Sequence, residues 1–318
     1  MSTAIAHQRP RTNEYLMEIS WHVVEIDDWS THEDPYQLHI VEEPLGTKEK
    51  FWVTAPDGNR YLFKYARIRE ERTLGEDWVE WAVHQLANLL SIPTATAIPA
   101  MHRGRRGVLS LSILSEGERL IHGNELLAGA DAEYDSQIAR QNSRYTVAAV
   151  KSALGQVGLT DEATTPVQTG FDAWAGYLLL DAWVAGRDRH HENWAAIERG
   201  GALRLSPSFD HGNALGFQEP DSKVSALAQH DDLLAKWANR GRSHHFSGRP
   251  SLVDLAQTAL QLTGPGVPEY WLGKLEHVSA AEVSSVLAAI PSTYLSDNGR
   301  TFRAQLLSLN RERIIHGD

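Results

Sequence analysis

The sequence predicts an α+β protein with two lobes, a β-rich lobe followed by a mostly α-helical one. Strand-like runs separated by turn residues fill the first third of the chain, and helical periodicity dominates after Gly117. A length of 318 residues, of which 42% are hydrophobic, is sufficient for two lobes around a cleft. We therefore predict a flexible polar tail over 1–14, an N-lobe over 15–117 and a C-lobe over 118–318.

The composition excludes several classes of protein. The net charge of -11 argues against direct nucleic-acid binding, and the absence of cysteine excludes disulfides and thiol nucleophiles. No run reaches the roughly 18 apolar residues of a membrane-spanning helix. The polar N-terminus lacks the apolar core of a signal peptide. We expect a cytoplasmic protein that binds neither membranes nor nucleic acids.

The N-lobe is predicted to contain five strands and one helix. The strands are expected over 37–41, 50–54, 60–65, 95–100 and 107–114. Between the second and third strands, Pro56 presets φ and Gly58 accepts a positive φ, so this pair should form a hairpin. The helix is expected over 76–91, where apolar residues recur at helical spacing and Pro93 lies just beyond the end.

The C-lobe is predicted to be mainly helical. The segment 171–185 is apolar on nearly every face, as expected for a buried helix, and it leads directly into a polar loop. A short hairpin turning at Gly200-Gly201 should join strands over 194–197 and 203–205. Further helices are expected over 223–239, 252–262, 268–277 and 300–314, and Ser279 with Glu282 has the spacing of a capping box that opens another.

The polar loop after the buried helix carries the most informative pattern. Asp188 and Asn193 lie five positions apart, and Asp210 follows the hairpin, two residues before Gly212. Phosphoryl transfer needs a carboxylate that orients the acceptor hydroxyl and oxygen ligands that hold magnesium on the ATP phosphates. We therefore expect Asp188 to be catalytic and Asn193 and Asp210 to bind the metal.

The N-lobe supplies candidates for the other parts of such a site. Lys64 ends a strand-like run and could reach the α- and β-phosphates of ATP, with Glu80 or Glu76 on the next helix as its partner. A candidate phosphate loop, which matches no standard glycine-rich pattern, contains Gly46, Thr47, Lys48 and Lys50.

Other reactive side chains fit no alternative chemistry. Five histidines lack metal-ligand spacing and are expected on the surface or in hydrogen bonds: His190, His191, His211, His244 and His245. The arginines within 103–106 should form a solvated turn. Because no G-x-S-x-G elbow is present, serine hydrolase chemistry has no support.

Two blocks give the chain a family resemblance: Asp188-Arg189-His190-His191-Glu192-Asn193 and Phe209-Asp210-His211-Gly212. They resemble the motifs of HipA-like kinases, which are atypical bacterial serine/threonine kinases with a protein-kinase-like fold and motifs related to those of phosphoinositide kinases. Looser matches are Phe63-Lys64, Glu80 and the strand that begins at Gly107. The resemblance covers about residues 45 to 260.

The resemblance implies ATP and Mg2+ as cofactors and a hydroxyl-bearing acceptor, expected to be a serine or threonine of a protein, including the enzyme itself. Asp188 would be the catalytic base, and Asn193 and Asp210 the magnesium ligands. Lys64, paired with Glu80, would contact the ATP phosphates. The nucleotide-binding candidates also include the hinge residues Ser112, Ile113 and Leu114, and His190. A regulatory protein partner is compatible with this resemblance.

The sequence also departs from typical protein kinases. Gly186 stands where they have His, and His211 stands where they have Phe. The N-terminal part is shorter than in toxin-type members, which argues against a toxin role. Two alternatives stay open: a lipid or small-molecule kinase on the same scaffold, and a pseudokinase that binds nucleotide without turnover.

Overall fold

A computed structural model describes residues 19–32, 49–138, 140–159 and 166–317. Within these ranges the chain forms a β-rich N-lobe and a mainly helical C-lobe, so the predicted α+β architecture is confirmed. The predicted strand over 37–41 and the phosphate-loop candidates Gly46, Thr47 and Lys48 lie outside the described residues.

The N-lobe is built on a six-stranded sheet with the order β1-β7-β8-β4-β3-β2. β1 runs parallel to β7, and the other neighbours are antiparallel. Strands β3 and β4 have the predicted bounds. The elements are β1 Val24–Glu25, β2 Ser30–His32, β3 Lys50–Thr54, β4 Arg60–Tyr65, β5 Ile68–Arg69, β6 Arg72–Thr73, α1 Glu76–Leu89, β7 Ala97–His102 and β8 Arg105–Leu111.

Helix α1 connects the two lobes through its buried faces. Trp78, Val79 and Leu86 are part of the same hydrophobic core as the central helix of the C-lobe. On the N-lobe side, two guanidinium nitrogens of Arg106 in β8 each donate to the Asp77 carboxylate at 2.9 Å. The helix is therefore held by apolar packing on one side and by a bidentate ion pair on the other.

The C-lobe combines a small antiparallel sheet, in the order β11-β10-β9, with helices. Strand β9, which the sequence did not predict, pairs with β10 of the predicted hairpin. The elements are β9 Arg119–His122, α2 Gly123–Ala130, α3 Val147–Ala153, α4 Gly170–Val184, β10 Ala195–Arg199, β11 Ala202–Leu205, α5 Asp221–Gln229, α6 Asp231–Ala238, α7 Leu252–Gln261, α8 Val267–His277, α9 Ala280–Ala289 and α10 Asp297–His316.

Helix α4 is the central helix and delivers the chain to the polar loop. Thr169 and Asp172 form a capping box at its start, with the Asp172 N–H donating to the Thr169 hydroxyl at 3.1 Å. The helix ends where Ala185 adopts a left-handed conformation with φ of 55°. This turn places the next residues, Arg187 to Asn193, at the end of a rigid buried element.

One predicted helix, over 223–239, is in fact two. His230 has φ of -134° and separates α5 from α6. The capping box at Ser279 is confirmed, with the Glu282 N–H donating to the Ser279 hydroxyl at 3.2 Å. In the part of the chain that the structure describes, no helix has both the length and the apolar character to cross a bilayer.

Candidate active site

The two lobes meet at a partly buried ion pair between Lys64 and Asp210. Lys64, on β4, places its Nζ 3.0 Å from Oδ1 of Asp210, which follows β11 in a left-handed conformation with φ of 59°. Burial lowers the pKa of the Lys64 ammonium. The charges of Asp210 and Glu80 outweigh that effect and raise this pKa above its usual value. Lys64 is therefore a positive charge at the cleft at any physiological pH.

The two acidic candidates on α1, Glu76 and Glu80, bind different partners. Glu76 binds Arg67, accepting from its backbone N–H at 2.9 Å and from its Nε at 2.7 Å. Glu80 accepts from the backbone N–H of His211 at 3.0 Å. Glu80 therefore holds the loop that carries Asp210, and the ammonium of Lys64 contacts Asp210 itself.

Gly212 permits the close approach of this loop to α1. A Cβ atom at position 212 would lie 3.2 Å from Oε2 of Glu80 and 3.4 Å from the carbonyl oxygen of Glu76. A side chain there would crowd the Glu80 carboxylate and the backbone of the helix. This explains why a glycine follows two residues after the metal-ligand candidate.

The polar loop holds Asp188 and Asn193 together. The Asn193 side-chain amide donates to the carbonyl oxygen of Asp188 at 2.7 Å, and the His190 N–H donates to the same oxygen at 2.8 Å. Because Nδ2 of Asn193 donates this hydrogen bond, the other amide atom, Oδ1, is the one that can accept a hydrogen bond or bind a cation. The predicted proximity of Asp188, Asn193 and Asp210 is therefore observed, and all three line one small cavity with His211.

A buried ion pair connects the polar loop to helix α4. The Arg189 guanidinium binds the Asp181 carboxylate of α4 through Nε at 2.7 Å and a second nitrogen at 2.8 Å. A third nitrogen donates to the carbonyl oxygen of Asn193 at 2.7 Å. The loop backbone is thus tied to the central helix, which fixes the position of Asp188.

His245 contacts Asp188 directly. Its Nε2 lies 2.9 Å from Oδ1 of Asp188 and, because an ionised carboxylate only accepts, Nε2 carries the proton and donates. Burial raises the pKa of the Asp188 carboxyl. The hydrogen bond from His245 and the charges of His190 and His245 outweigh it and leave this pKa below its usual value. The Asp188 side chain is 37% exposed, so its carboxylate is accessible from outside the protein.

The remaining histidines, expected on the surface or in hydrogen bonds, include an exposed one, His244, and two that are buried. His191 and His211 are buried, and burial lowers the pKa of His191 to about 4 and that of His211 to about 3. His191 forms a 2.7 Å hydrogen bond with the Tyr134 hydroxyl. Both rings are therefore neutral near pH 7. The ring centroid of His190 lies 5.2 Å from that of His245, beside Asp188.

The other nucleotide-binding candidates lie along the cleft. Lys50 begins β3 directly opposite Lys64 in the register and is exposed. Ser112, Ile113 and Leu114 form the partly buried link between β8 and the C-lobe, where the Ser112 N–H donates to the Arg60 carbonyl at 2.8 Å. These positions are compatible with the predicted hinge, whose role stays a prediction.

No protein-family model and no curated protein sequence matches the chain. Among solved structures, it is similar to the Helicobacter pylori proinflammatory kinase CtkA, with 14% identity over 93% of this chain and 96% of that one and a TM-score of 0.69. Two other similarities are weaker. The Golgi casein kinase has 11% identity, 86% and 70% coverage and a TM-score of 0.49. HipA of Shewanella oneidensis, in a complex with HipB and operator DNA, has 12% identity over 80% of this chain and 58% of that one, with a TM-score of 0.42.

The similarity to CtkA extends over nearly the full length of both chains, and at 14% identity it is informative about fold alone. The kinase resemblance predicted from the two sequence blocks is therefore confirmed at the level of the fold: the chain has an atypical kinase-like fold.

Proposed function

We propose that the protein is an ATP- and Mg2+-dependent kinase that transfers the γ-phosphoryl group to a serine or threonine hydroxyl of a protein, including its own chain. The observation that carries this proposal is the convergence of Lys64, Asp188, Asn193 and Asp210 on one inter-lobe cleft. A cytoplasmic location and a regulatory partner stay predictions from the sequence.

Asn193 and Asp210 are the residues that would hold the metal. An amide oxygen and a carboxylate are the hard oxygen ligands that Mg2+ prefers, and the ion usually completes its shell with phosphate oxygens and water. The amide orientation of Asn193 fits this role, because Nδ2 is bound to the Asp188 carbonyl and Oδ1 is left as the ligand atom. When bound, the ion would neutralise charge on the β- and γ-phosphates.

Lys64 would bind the α- and β-phosphates of ATP. Its ammonium is held on β4 at the cleft and is kept positive by Asp210 and Glu80. Glu80 would act indirectly, since its carboxylate fixes the loop of Asp210 through the His211 N–H. Ser112 to Leu114 would contact adenine, and Lys50 would extend the positive surface towards the phosphates.

Asp188 would orient the acceptor hydroxyl and take its proton. The hydroxyl oxygen forms a bond to the γ-phosphorus while the bond from that phosphorus to the bridging oxygen of ADP breaks, and the hydroxyl proton passes to the carboxylate. His245 holds one oxygen of this carboxylate, and the low pKa keeps Asp188 ionised.

The test is phosphate transfer from radiolabelled ATP by the purified protein, with Asp188→Asn and Asp210→Asn as site variants. We expect transfer to the protein itself or to a protein in a lysate, loss with either variant, and phosphoserine or phosphothreonine by mass spectrometry. Asp131→Asn, which removes an exposed partner of Arg144, is the matched control and should retain activity.

Calorimetry of ATP binding with and without Mg2+, combined with the transfer assay, distinguishes an active kinase from a pseudokinase that binds nucleotide without turnover. Binding without transfer to any acceptor would favour the pseudokinase alternative. Transfer to phosphoinositide vesicles but to no protein would favour the lipid kinase. A protein that neither binds ATP nor transfers phosphate would contradict the proposal.

A further inference from the structure

An arginine cluster lies on the catalytic loop and on two segments that are connected to it by hydrogen bonds. It consists of Arg187, which precedes Asp188, Arg140, and Arg242 and Arg249 from the loop between α6 and α7. This loop, over 239–250, contains no aspartate or glutamate although the whole chain has a net charge of -11. Clustered positive charge creates a local positive potential that attracts negative ligands even when the whole protein is acidic.

Hydrogen bonds bring the members of the cluster to the catalytic loop. His245 of the α6–α7 loop binds Asp188 at 2.9 Å, and the carbonyl of the adjacent His244 accepts from the Gln141 N–H at 3.2 Å. That second bond places Arg140 next to the loop. The charges of Arg249, Arg187 and Arg140 all contribute to lowering the pKa of His244, after the larger effect of burial, which agrees with this geometry.

The guanidinium groups in the cluster differ from those of many other arginines of the chain in the partners that they contact. In the described ranges, none of the four forms an ion pair with a carboxylate. The Arg242 guanidinium donates to the Arg249 carbonyl at 3.3 Å, and that of Arg187 lies over the Trp237 ring at 5.3 Å. Burial lowers the pKa of Arg187 more than the charge of Glu219 raises it, and the Glu219 carboxylate forms its ion pair with Lys223, at 2.7 Å. Arginines with carboxylate partners elsewhere include Arg67, Arg106, Arg144, Arg189 and Arg204.

We propose that this cluster recognises carboxylates next to the acceptor hydroxyl, so that the acceptor is a serine or threonine in an acidic peptide segment. The inference rests on the proposed function, because it names the substrate class of the same site. Guanidinium groups bind carboxylates through paired N–H donors. At physiological salt, charges more than about 8 Å apart are largely screened, so the local cluster outweighs the distant negative surface.

The experiment compares three synthetic peptides that present one serine flanked by aspartate and glutamate, by asparagine and glutamine, or by lysine. We expect the acidic peptide to have the highest kcat/KM, with an advantage that shrinks as salt is added, because exposed charge pairs are screened. The variant Arg140→Glu/Arg249→Glu should lower kcat/KM for the acidic peptide by about tenfold or more and leave the neutral peptide and the KM for ATP unchanged. Arg69→Glu/Arg199→Glu, which replaces two exposed arginines outside the cluster, is the charge-matched control.

Three outcomes would overturn the inference. The wild type could show no preference for the acidic peptide, the double variant could raise the KM for ATP instead, or a DNA oligonucleotide could bind as tightly as the peptide. If no peptide is phosphorylated, transfer of radiolabelled phosphate to the protein itself or to lysate proteins decides the proposed function separately. Fluorescence anisotropy of the labelled acidic peptide then decides the inference, since binding lost in the double variant supports it and no binding to the wild type rejects it.

Discussion

The Nε2 atom of His245 lies 2.9 Å from Oδ1 of Asp188, although 57 positions separate the two residues in sequence. His245 is buried, with a side chain 7% exposed, while the Asp188 side chain reaches the cleft surface. The histidine therefore fixes the carboxylate from the protein side and leaves its other side to the acceptor. No such residue is expected from the sequence pattern around Asp188.

Replacing His245 should impair the chemical step. We expect His245→Ala to lower kcat by about 10- to 100-fold, because the carboxylate loses its orientation but keeps its charge. His245→Gln retains an N–H donor and should recover part of this loss, and the KM for ATP should stay constant. Steady-state kinetics check this. A kcat in His245→Ala equal to that of the folded wild type would show that Asp188 needs no such support.

The Lys64–Asp210 pair should contribute to the free energy of unfolding as well as to activity. Asp210→Ala leaves a buried ammonium without this partner, and we expect the free energy of unfolding to fall by about 1–3 kcal/mol, a range reduced for the partial exposure of Asp210. Lys64→Met/Asp210→Ala should recover most of this stability and remain inactive. Denaturant unfolding measures both variants, and a double variant as unstable as Asp210→Ala would contradict the pairing.

The buried Arg189–Asp181 pair should matter more than a surface pair. Both side chains are less than a tenth exposed, at 5% and 8%, and Arg189 also binds the Asn193 carbonyl. We expect Asp181→Ala to cost about 3–5 kcal/mol of unfolding free energy. Asp131→Ala, which removes the exposed partner of Arg144, should cost about 0–1 kcal/mol by the same measurement. Equal losses in the two variants would contradict this prediction.

His84 should give the folded protein a dependence on pH. Burial lowers the pKa of His84, whose Nδ1 forms a 2.7 Å hydrogen bond with the Thr94 hydroxyl. The unfolded chain therefore takes up a proton near the ordinary value of about 6.5 while the folded chain does not, so stability falls as the pH drops below that value. His84→Asn should reduce the slope of the unfolding free energy against pH between about pH 5 and 7, while the buried His191 and His211 maintain the rest of it. An unchanged slope would contradict this, and the exposed His316→Asn is the control.

Local signals predict the parts of the fold whose determinants are local. The β3–β4 hairpin has its predicted bounds because Pro56 and Gly58 specify the turn, and α9 begins at Ser279 because the cap is encoded within four residues. Strand β9 is missed because four residues give little periodicity, and its pairing with β10 is decided by tertiary contacts. The break between α5 and α6 is likewise set at one residue, His230.

In the candidate site, too, the residues fixed by local sequence are predictable and those placed by tertiary contacts are not. Asp188, Asn193 and Asp210 are predictable because their spacing is fixed by a loop and a hairpin. The choice of Glu80 over Glu76 depends on which helix face meets the His211 N–H, and the sequence places both acids one turn apart. His245 depends on how a distant loop folds back, and the only local signal is a pair of adjacent histidines.

The double attachment of α1 has a consequence for control of the protein. Many switches work by swinging one helix out of a cleft, but here such a swing would expose Trp78, Val79 and Leu86 and break the Asp77–Arg106 pair. Each large apolar side chain brought into water costs about 1.5–3 kcal/mol, so the movement would consume a large part of a domain's stability. Glu80 is thus held at the cleft by the packing of α1, and control through the loops around the cleft would cost less free energy than control through movement of this helix.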